Sequence, residues 1–384
     1  MPDLVALDLP AGPEWVEALR RAWGDGHAVL PVDPRLPGPA RERLLDATAP
    51  SLVVTASGST RRAGGVPVVD GDALVVATSG TTGEAKGVVL THAAVEASAV
   101  ATNARLGIDP TGDRWLATLP LAHIGGLSVV TRALASDTPV TVVPGFDPSV
   151  VEAAVASGHT RTSLVVSALQ RINTAGWTTI LVGGSAMPLD LPPNCTRTYG
   201  MTETGSGVVY DGFPLQGVGV SLSDDGEIVV EGPMLLRAYR GGDVVTPEGV
   251  DPKDGFGRLH TGDSGRFAPD GALIVEGRRG DVIVTGGEKV WPDAVERALG
   301  SLRASFDFAV ASQPDPAWGQ RVTLFVVGSE GPSLETIRDL VSQSLPTYAA
   351  PKAIVVVEAL PRTSTGKINR LALSRSSASR NERR

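Results

Sequence analysis

The chain has 384 residues, 42% hydrophobic and 20% charged, with 34 Lys+Arg against 42 Asp+Glu and a formal net charge of -8. At roughly 150 residues per domain that length suggests two or so domains. The apolar fraction excludes a disordered polymer, and the acidic balance argues against a sequence-independent nucleic-acid binder. One Cys and four Met leave no disulfide framework and no Cys-rich metal site. No apolar run reaches the ~18 residues that span a bilayer. The Met-Pro-Asp-Leu-Val start lacks the pattern of a secretion signal. A reduced, cytoplasmic α/β enzyme with no membrane span is expected.

Strand-length apolar runs alternate with helical patterns between about residues 70 and 200. Strands are predicted at 73–78, 115–119, 140–143, 179–182 and 196–199, and helices at 92–106, 127–135 and 149–157. Thr91 is placed to cap the first helix. Such alternation implies mostly parallel sheets covered by helices. After about residue 215 the texture becomes Gly-punctuated β structure, with a strand at 226–231 and a hairpin of 265–268 and 273–276 around Pro-Asp-Gly. Beyond 277–281 come strand 282–285, helix 292–299, strands 306–311 and 321–327, helix 333–345 and strand 353–358. The last helix carries Leu334, Ile337, Leu340, Val341 and Leu345 on one stripe, as a helix packed on a sheet does. This is the pattern of a small α+β domain, and the Ser/Arg/Asn-rich 374–384 reads as a disordered tail.

Residues 76–87 read Val-Ala-Thr-Ser-Gly-Thr-Thr-Gly-Glu-Ala-Lys-Gly. A strand delivers Thr78, Ser79, Gly80, Thr81, Thr82 and Gly83, followed by Lys86. Glycines let main-chain N–H groups approach phosphate oxygens, hydroxyls add donors, and the lysine adds a mobile charge. The order Gly-x-x-Gly-x-x-Lys excludes the P-loop pattern. Thr198, Tyr199, Gly200, Met201, Thr202 and Glu203 put an aromatic ring, hydroxyls and a carboxylate within a few residues, able to serve base, phosphate and metal. Asp263 offers an acceptor-only carboxylate suited to a diol, and Arg278 a cation. Lys367, beside Gly366, could reach a cleft from a loop or be an ordinary solvated lysine.

These strings resemble, in order, the signatures of the adenylate-forming superfamily of acyl- and aryl-CoA synthetases, luciferases and peptide-synthetase adenylation domains. The resemblance implies a large N-terminal domain (1–277, abbreviated at its start) and a small mobile C-terminal domain (278–373) hinged at Gly280. It makes 78–83 with Lys86 the phosphate loop, with Ala85 in place of the usual proline. Gly183, Gly184 and Ser185 become the adenine-side turn, Tyr199 the adenine platform, Thr202 the α-phosphate contact, Glu203 the Mg²⁺ ligand, and Asp263 with Arg278 the ribose pair. Gly286, Gly287 and Lys289 would line the path of coenzyme A, and Lys367 would be the catalytic lysine of adenylation. ATP, Mg²⁺, coenzyme A and a small carboxylic acid are thus the expected partners.

The acid is read from weaker features. Residues 119–127, Leu-Pro-Leu-Ala-His-Ile-Gly-Gly-Leu, match the family's acyl-pocket segment. A histidine at 123, where amino-acid-activating relatives commonly carry Asp, favours a plain or aromatic acid, the alternative being a packed, satisfied histidine. The segment, the 207–215 stretch and the short length resemble short actinobacterial o-succinylbenzoyl-CoA synthetases of menaquinone biosynthesis. This implies an AMP-forming acid–CoA ligase with His123, Gly125, Gly184 and Gly207 at the acid. Its second carboxylate would be held by a group from the 160–210 region. Another aryl- or acyl-CoA synthetase, or a free-standing enzyme loading a carrier protein, remains open, as does the oligomeric state, a homodimer included.

Overall fold

In the computed structural model the described residues are all except 80–84, 185–189, 242–244, 329–331, 363–367, 376–381 and 384. The chain divides into two compact units. The first is made of Met1–Gly184, Leu191–Val220 and Val229–His260, the second chiefly of Ser221–Ile228 and Thr261–Arg384. The boundary expected at 277/278 lies inside the second unit.

The first unit holds two seven-stranded sheets. One runs in the order Ala238–Arg240, Ala85–Thr91, Asp72–Ser79, Ala28–Pro31, Leu4–Asp8, Leu52–Thr55, Gly58–Arg61. Its middle is parallel and its flanks antiparallel. The N-terminal strands and Ala238–Arg240 are additions to the sequence reading, and they make this sheet mixed rather than mostly parallel. Its core gathers Leu4, Ala6, Leu30, Val75 and Val89, each almost fully buried.

The second sheet runs Phe213–Pro214, Ser206–Tyr210, Cys195–Met201, Thr179–Gly183, Arg161–Val165, Trp115–Ala117, Val140–Val142. It is parallel from Cys195–Met201 through to Val140–Val142. The helix His92–Leu106 falls where its pattern predicts; Thr91 accepts a hydrogen bond from the Ala94 N–H at 3.1 Å, and Gly107 ends the helix at φ 60°. The helix Ile124–Ala135 starts three residues earlier than its apolar run indicates, with His123 at its N-cap.

In the second unit, the hairpin of Leu259–Phe267 and Leu273–Arg278 is paired from Asp263↔Arg278 to Phe267↔Leu273. Beyond it, Ile283–Thr285, Glu288–Val290, Phe308–Asp315, Gly319–Val327 and Ala353–Val357 form one sheet. Pro292–Ala298 and Leu334–Ser342 supply apolar side chains to its core. Ile337 and Val341 are fully buried there and Leu334, Leu340 and Leu345 pack against the same cluster, as the stripe requires. The tail expected to be disordered from Ser374 is helical to Arg375, and Glu382–Arg383 pair with Ile354 and Val355.

Candidate active site

Lys86 owes its position to a hairpin. Asp72–Ser79 and Ala85–Thr91 pair antiparallel, Thr78 opposite Lys86, so both emerge at the end where the glycine-rich turn begins. The turn itself, with Gly80, Thr81, Thr82 and Gly83, lies outside the described residues. Thr78 donates from Oγ1 to the Lys86 carbonyl at 3.4 Å. Lys86 Nζ stands 3.5 Å from the centroid of the Tyr239 ring, a cation–π contact. The Tyr239 hydroxyl in turn donates to Glu203 Oε1 at 2.9 Å.

Glu203 sits on a single 3₁₀ turn, Thr202–Thr204, that closes the strand Cys195–Met201. The Thr204 hydroxyl fastens the turn, accepting from the Met201 N–H at 2.9 Å and donating to the Ser206 carbonyl at 2.7 Å. Before the turn, the ladder to Ser206–Tyr210 shifts register between Tyr199 and Gly200. Such a bulge re-aims side chains. It also crowds the backbone: a Cβ on Gly200 would lie 2.1 Å from the Ser206 carbonyl oxygen and 2.6 Å from Gly207 Cα. Gly183 is equally constrained, since a Cβ there would come within 2.6 Å of the Thr198 hydroxyl, which donates to the Val182 carbonyl at 3.2 Å. Gly184 takes φ +91° beyond the strand end; its neighbour Ser185 is outside the described residues. The strand thus carries Thr198, Tyr199 and Met201 to the same turn as Thr202 and Glu203.

The acyl-pocket segment opens the helix Ile124–Ala135. A Cβ on Gly125 would meet the Leu119 side chain at an ordinary 3.6 Å, whereas one on Gly126 would lie 2.4 and 2.5 Å from the Leu119 and Pro120 carbonyl oxygens. Gly126 thus makes a close backbone approach, while Gly125, expected at the acid, has room for a side chain. Gly207 faces the Tyr210 ring and Thr198 Cβ, at 2.8 and 3.1 Å from where its own Cβ would be. The Asp33 carboxyl is held below its usual range by a hydrogen bond from Arg35, with a smaller contribution from His123.

Two residues of this unit were not singled out from the sequence. Tyr239 is one, and its edge strand, a short Ala-Tyr-Arg stretch, carries no periodicity to reveal it. Arg132 is the other. It is 2% exposed, its Nη2 donates to the Ser128 and Ser206 hydroxyls at 2.7 and 2.9 Å, and its guanidinium lies over Trp115. Among the described residues no carboxylate pairs with it, and Nη1 is buried with no hydrogen bond. Burial pushes its pKa down. An arginine inside the helical pattern 127–135, whose other residues are apolar or hydroxyl-bearing, was the available signal, because arginine is almost never fully buried unpaired.

In the second unit the two residues expected at the ribose, Asp263 and Arg278, form an ion pair. Arg278 Nε lies 3.0 Å from Asp263 Oδ1, and Arg278 Nη1 donates to the Thr261 carbonyl at 2.9 Å. The carboxylate is 7% exposed, and its backbone N–H is received by the Thr261 hydroxyl at 3.1 Å. Gly286 and Gly287, at φ 61° and 89°, make the two-residue turn between Thr285 and Glu288, both left-handed as a type I′ hairpin requires. Lys289 follows, exposed, opposite Val284. Lys367 lies outside the described residues; residues on either side of 363–367 are tied. Arg362 bridges to Ile368, and Arg370 bonds to Asp281 at 3.3 Å and Glu296 at 2.8 Å. Gly280, the expected hinge, lies in the 3₁₀ turn Arg279–Asp281, and a Cβ on it would meet nothing within 4 Å.

Among the described residues no group of three or more His, Cys, Asp or Glu could hold a metal ion, and no helix is long and apolar enough to cross a membrane. A lone Glu203 carboxylate is nevertheless a fitting donor for Mg²⁺, which keeps most of its waters and takes one or two carboxylates with substrate phosphates.

The sequence profile of the AMP-binding enzyme family matches residues 66–240, and that of the AMP-binding enzyme C-terminal domain matches 294–367. A probable 2-succinylbenzoate–CoA ligase of Mycobacterium tuberculosis is 38% identical over 367 residues, covering 88% of this chain and 94% of the relative. The o-succinylbenzoate CoA synthetase of Bacillus subtilis, solved with its acyl-adenylate intermediate, superposes with a TM-score of 0.83 at 27% identity, covering 100% of this chain and 89% of that one. The same enzyme with ATP and magnesium ion gives a TM-score of 0.81 at 26% identity, covering 97% and 89%.

Proposed function

Since the chain belongs to the AMP-binding enzyme family, we propose that it is an ATP-dependent acid–CoA ligase acting on o-succinylbenzoate in the cytoplasm, in menaquinone biosynthesis. The observation that carries the adenylating half is the gathering of the phosphate-loop Lys86 and the carboxylate Glu203 about one tyrosine. The relative's name and near-full coverage support the acid, and the buried Arg132 supports it independently. o-Succinylbenzoate carries two carboxylates, one to be activated and one to be recognised. Arg132 holds an uncompensated charge within the helix that has His123 at its N-cap, and donates to Ser206, the residue beside Gly207. It suits the second carboxylate, beside the group expected from 160–210.

In the first half-reaction the acid's carboxylate attacks the α-phosphate of ATP, forming acyl-AMP and releasing pyrophosphate. ATP and the acid repel each other, so the site must offset charge before attack. Lys86 and the loop 78–83 hold the triphosphate, Thr202 the α-phosphate, and Tyr199 with Gly183, Gly184 and Ser185 the adenine. Asp263 and Arg278 take the ribose. Bound Mg²⁺, held by Glu203, supplies charge neutralisation of the phosphates. Lys367 supplies charge where the carboxylate attacks. In the second half the thiol of coenzyme A attacks the acyl carbon and expels AMP, with the 286–289 turn and Lys289 at the thiol's path. The mobile part is 278–373, turning at Gly280 against 1–277. Pyrophosphate release measured across o-succinylbenzoate, benzoates, fatty acids and amino acids tests the reading. Strong preference for o-succinylbenzoate with CoA-dependent AMP release is expected. No stimulation by that acid would overturn the substrate.

A further inference from the structure

We propose that Tyr239 is a positioning residue that ties the phosphate-loop lysine and the metal-type carboxylate into one unit, setting the affinity for the metal that accompanies ATP. The inference rests on the reading of Glu203 as the Mg²⁺ ligand and Lys86 as a phosphate contact.

The ring is a fixed platform. Tyr239 lies in the edge strand Ala238–Arg240, opposite Val88, and its other edge exchanges hydrogen bonds with Val250 at 2.7 and 2.8 Å. Its neighbours alternate to the opposite face and are buried, Ala238 and Arg240 each at 1% exposure. Arg240 locks the strand further by donating to the carbonyls of Thr48, Ala49, Val66 and Pro67. Only Tyr239 points the other way, where its face carries the Lys86 ammonium and its hydroxyl meets Glu203. The same segment also grips the main chain of Glu203, whose carbonyl accepts from the Leu236 N–H at 2.8 Å. Glu203 is therefore oriented at backbone and side chain by one short stretch.

The chemistry suits the task. A phenol is a neutral donor, so it fixes a carboxylate without adding charge near a triphosphate. A cation over the ring draws electron density from it and strengthens the hydroxyl as a donor. Binding one oxygen of Glu203 leaves the other in a set direction for a metal that demands near-octahedral geometry.

ATP binding is measured by calorimetry at stepped Mg²⁺ concentrations, without acid or coenzyme A, so no turnover enters. Tyr239→Phe keeps the ring and removes the hydroxyl; it should raise the Mg²⁺ concentration at half-effect about tenfold, as loss of a partner behind a metal ligand does. Metal-free ATP binding should be unchanged in that variant and weakened in Tyr239→Leu, which also removes the platform. Glu203→Gln is the reference. If it shifts the Mg²⁺ dependence and Tyr239→Phe does not, the proposal fails and the reading of Glu203 stands. If neither shifts it, that reading fails and takes the proposal with it.

Discussion

A guanidinium removed from water without a carboxylate is costly, and Arg132 bears that cost with two serine hydroxyls and an indole face as its compensation. Such a residue is better explained by what it binds than by what it stabilises. Arg132→Met fills the space with an apolar chain and should leave the melting temperature unchanged or raised. The same variant should lose kcat/KM for o-succinylbenzoate by about 30-fold or more, the loss expected when one partner of a buried charge pair is removed. An aromatic monocarboxylate should be handled as before; equal losses for both acids would make Arg132 merely structural. The residues proposed to touch ATP were legible because their types suit that ligand. Thr78, Lys86, Tyr199, Glu203, Asp263 and Arg278 carry the chemistry a nucleotide demands and recur in a fixed order. Arg132 and Tyr239 were not legible, since their meaning lies in burial and in partners far along the chain, Ser206 for one and Glu203 for the other.

The bulged strand Cys195–Met201 shows how an element turns packing into function. Its glycine is needed for clearance rather than for an unusual φ. Gly200→Ala would push a methyl into the Ser206 carbonyl, and overpacking of this kind costs roughly 1–3 kcal/mol. Thermal melting should fall by several degrees, and ATP binding should weaken because Tyr199 and Glu203 flank the distortion. Gly280→Ala is the control: with open space at its Cβ it should melt like the parent chain. The helix His92–Leu106 was legible to the residue because capping threonine, periodicity and terminal glycine agree. The edge strand Ala238–Arg240 was not, for a three-residue stretch paired to Gly87, Val88 and Val89 has no local signature. Nor were the N-terminal strands, whose short apolar runs cannot be told from buried helix by pattern alone.

Across the whole molecule the proposed roles are divided between the units, with Lys86 and Glu203 in the first and Asp263, Arg278, the Gly286–Gly287 turn and Lys367 in the second. Two half-reactions that call on different parts of the second unit should be separable. Lys367→Ala should abolish pyrophosphate release while retaining thioester formation from preformed acyl-AMP, assayed as CoA consumption. Gly280→Pro, which stiffens the proposed hinge, should lower full turnover more than the slower of its two half-reactions. Equal loss of both halves in the lysine variant would remove Lys367 from the first step. Motif order identified the class because several separate segments agree along the chain, whereas the acid leaves its mark on a few pocket residues with no common spacing.

The four carbonyls held by Arg240 belong to residues 48, 49, 66 and 67, and this separation bears on the newborn chain. While the ribosome is still short of residue 240, the strand Ala85–Thr91 has no neighbour on its outer side, and the carbonyls near 48 and 66 have no donor from Arg240. Synthesis must therefore carry an open sheet edge through the whole of the second sheet before the first can seal. An unprotected edge is where other chains pair and aggregation begins. The arginine that steadies the tyrosine platform is also the residue that ends this vulnerable interval.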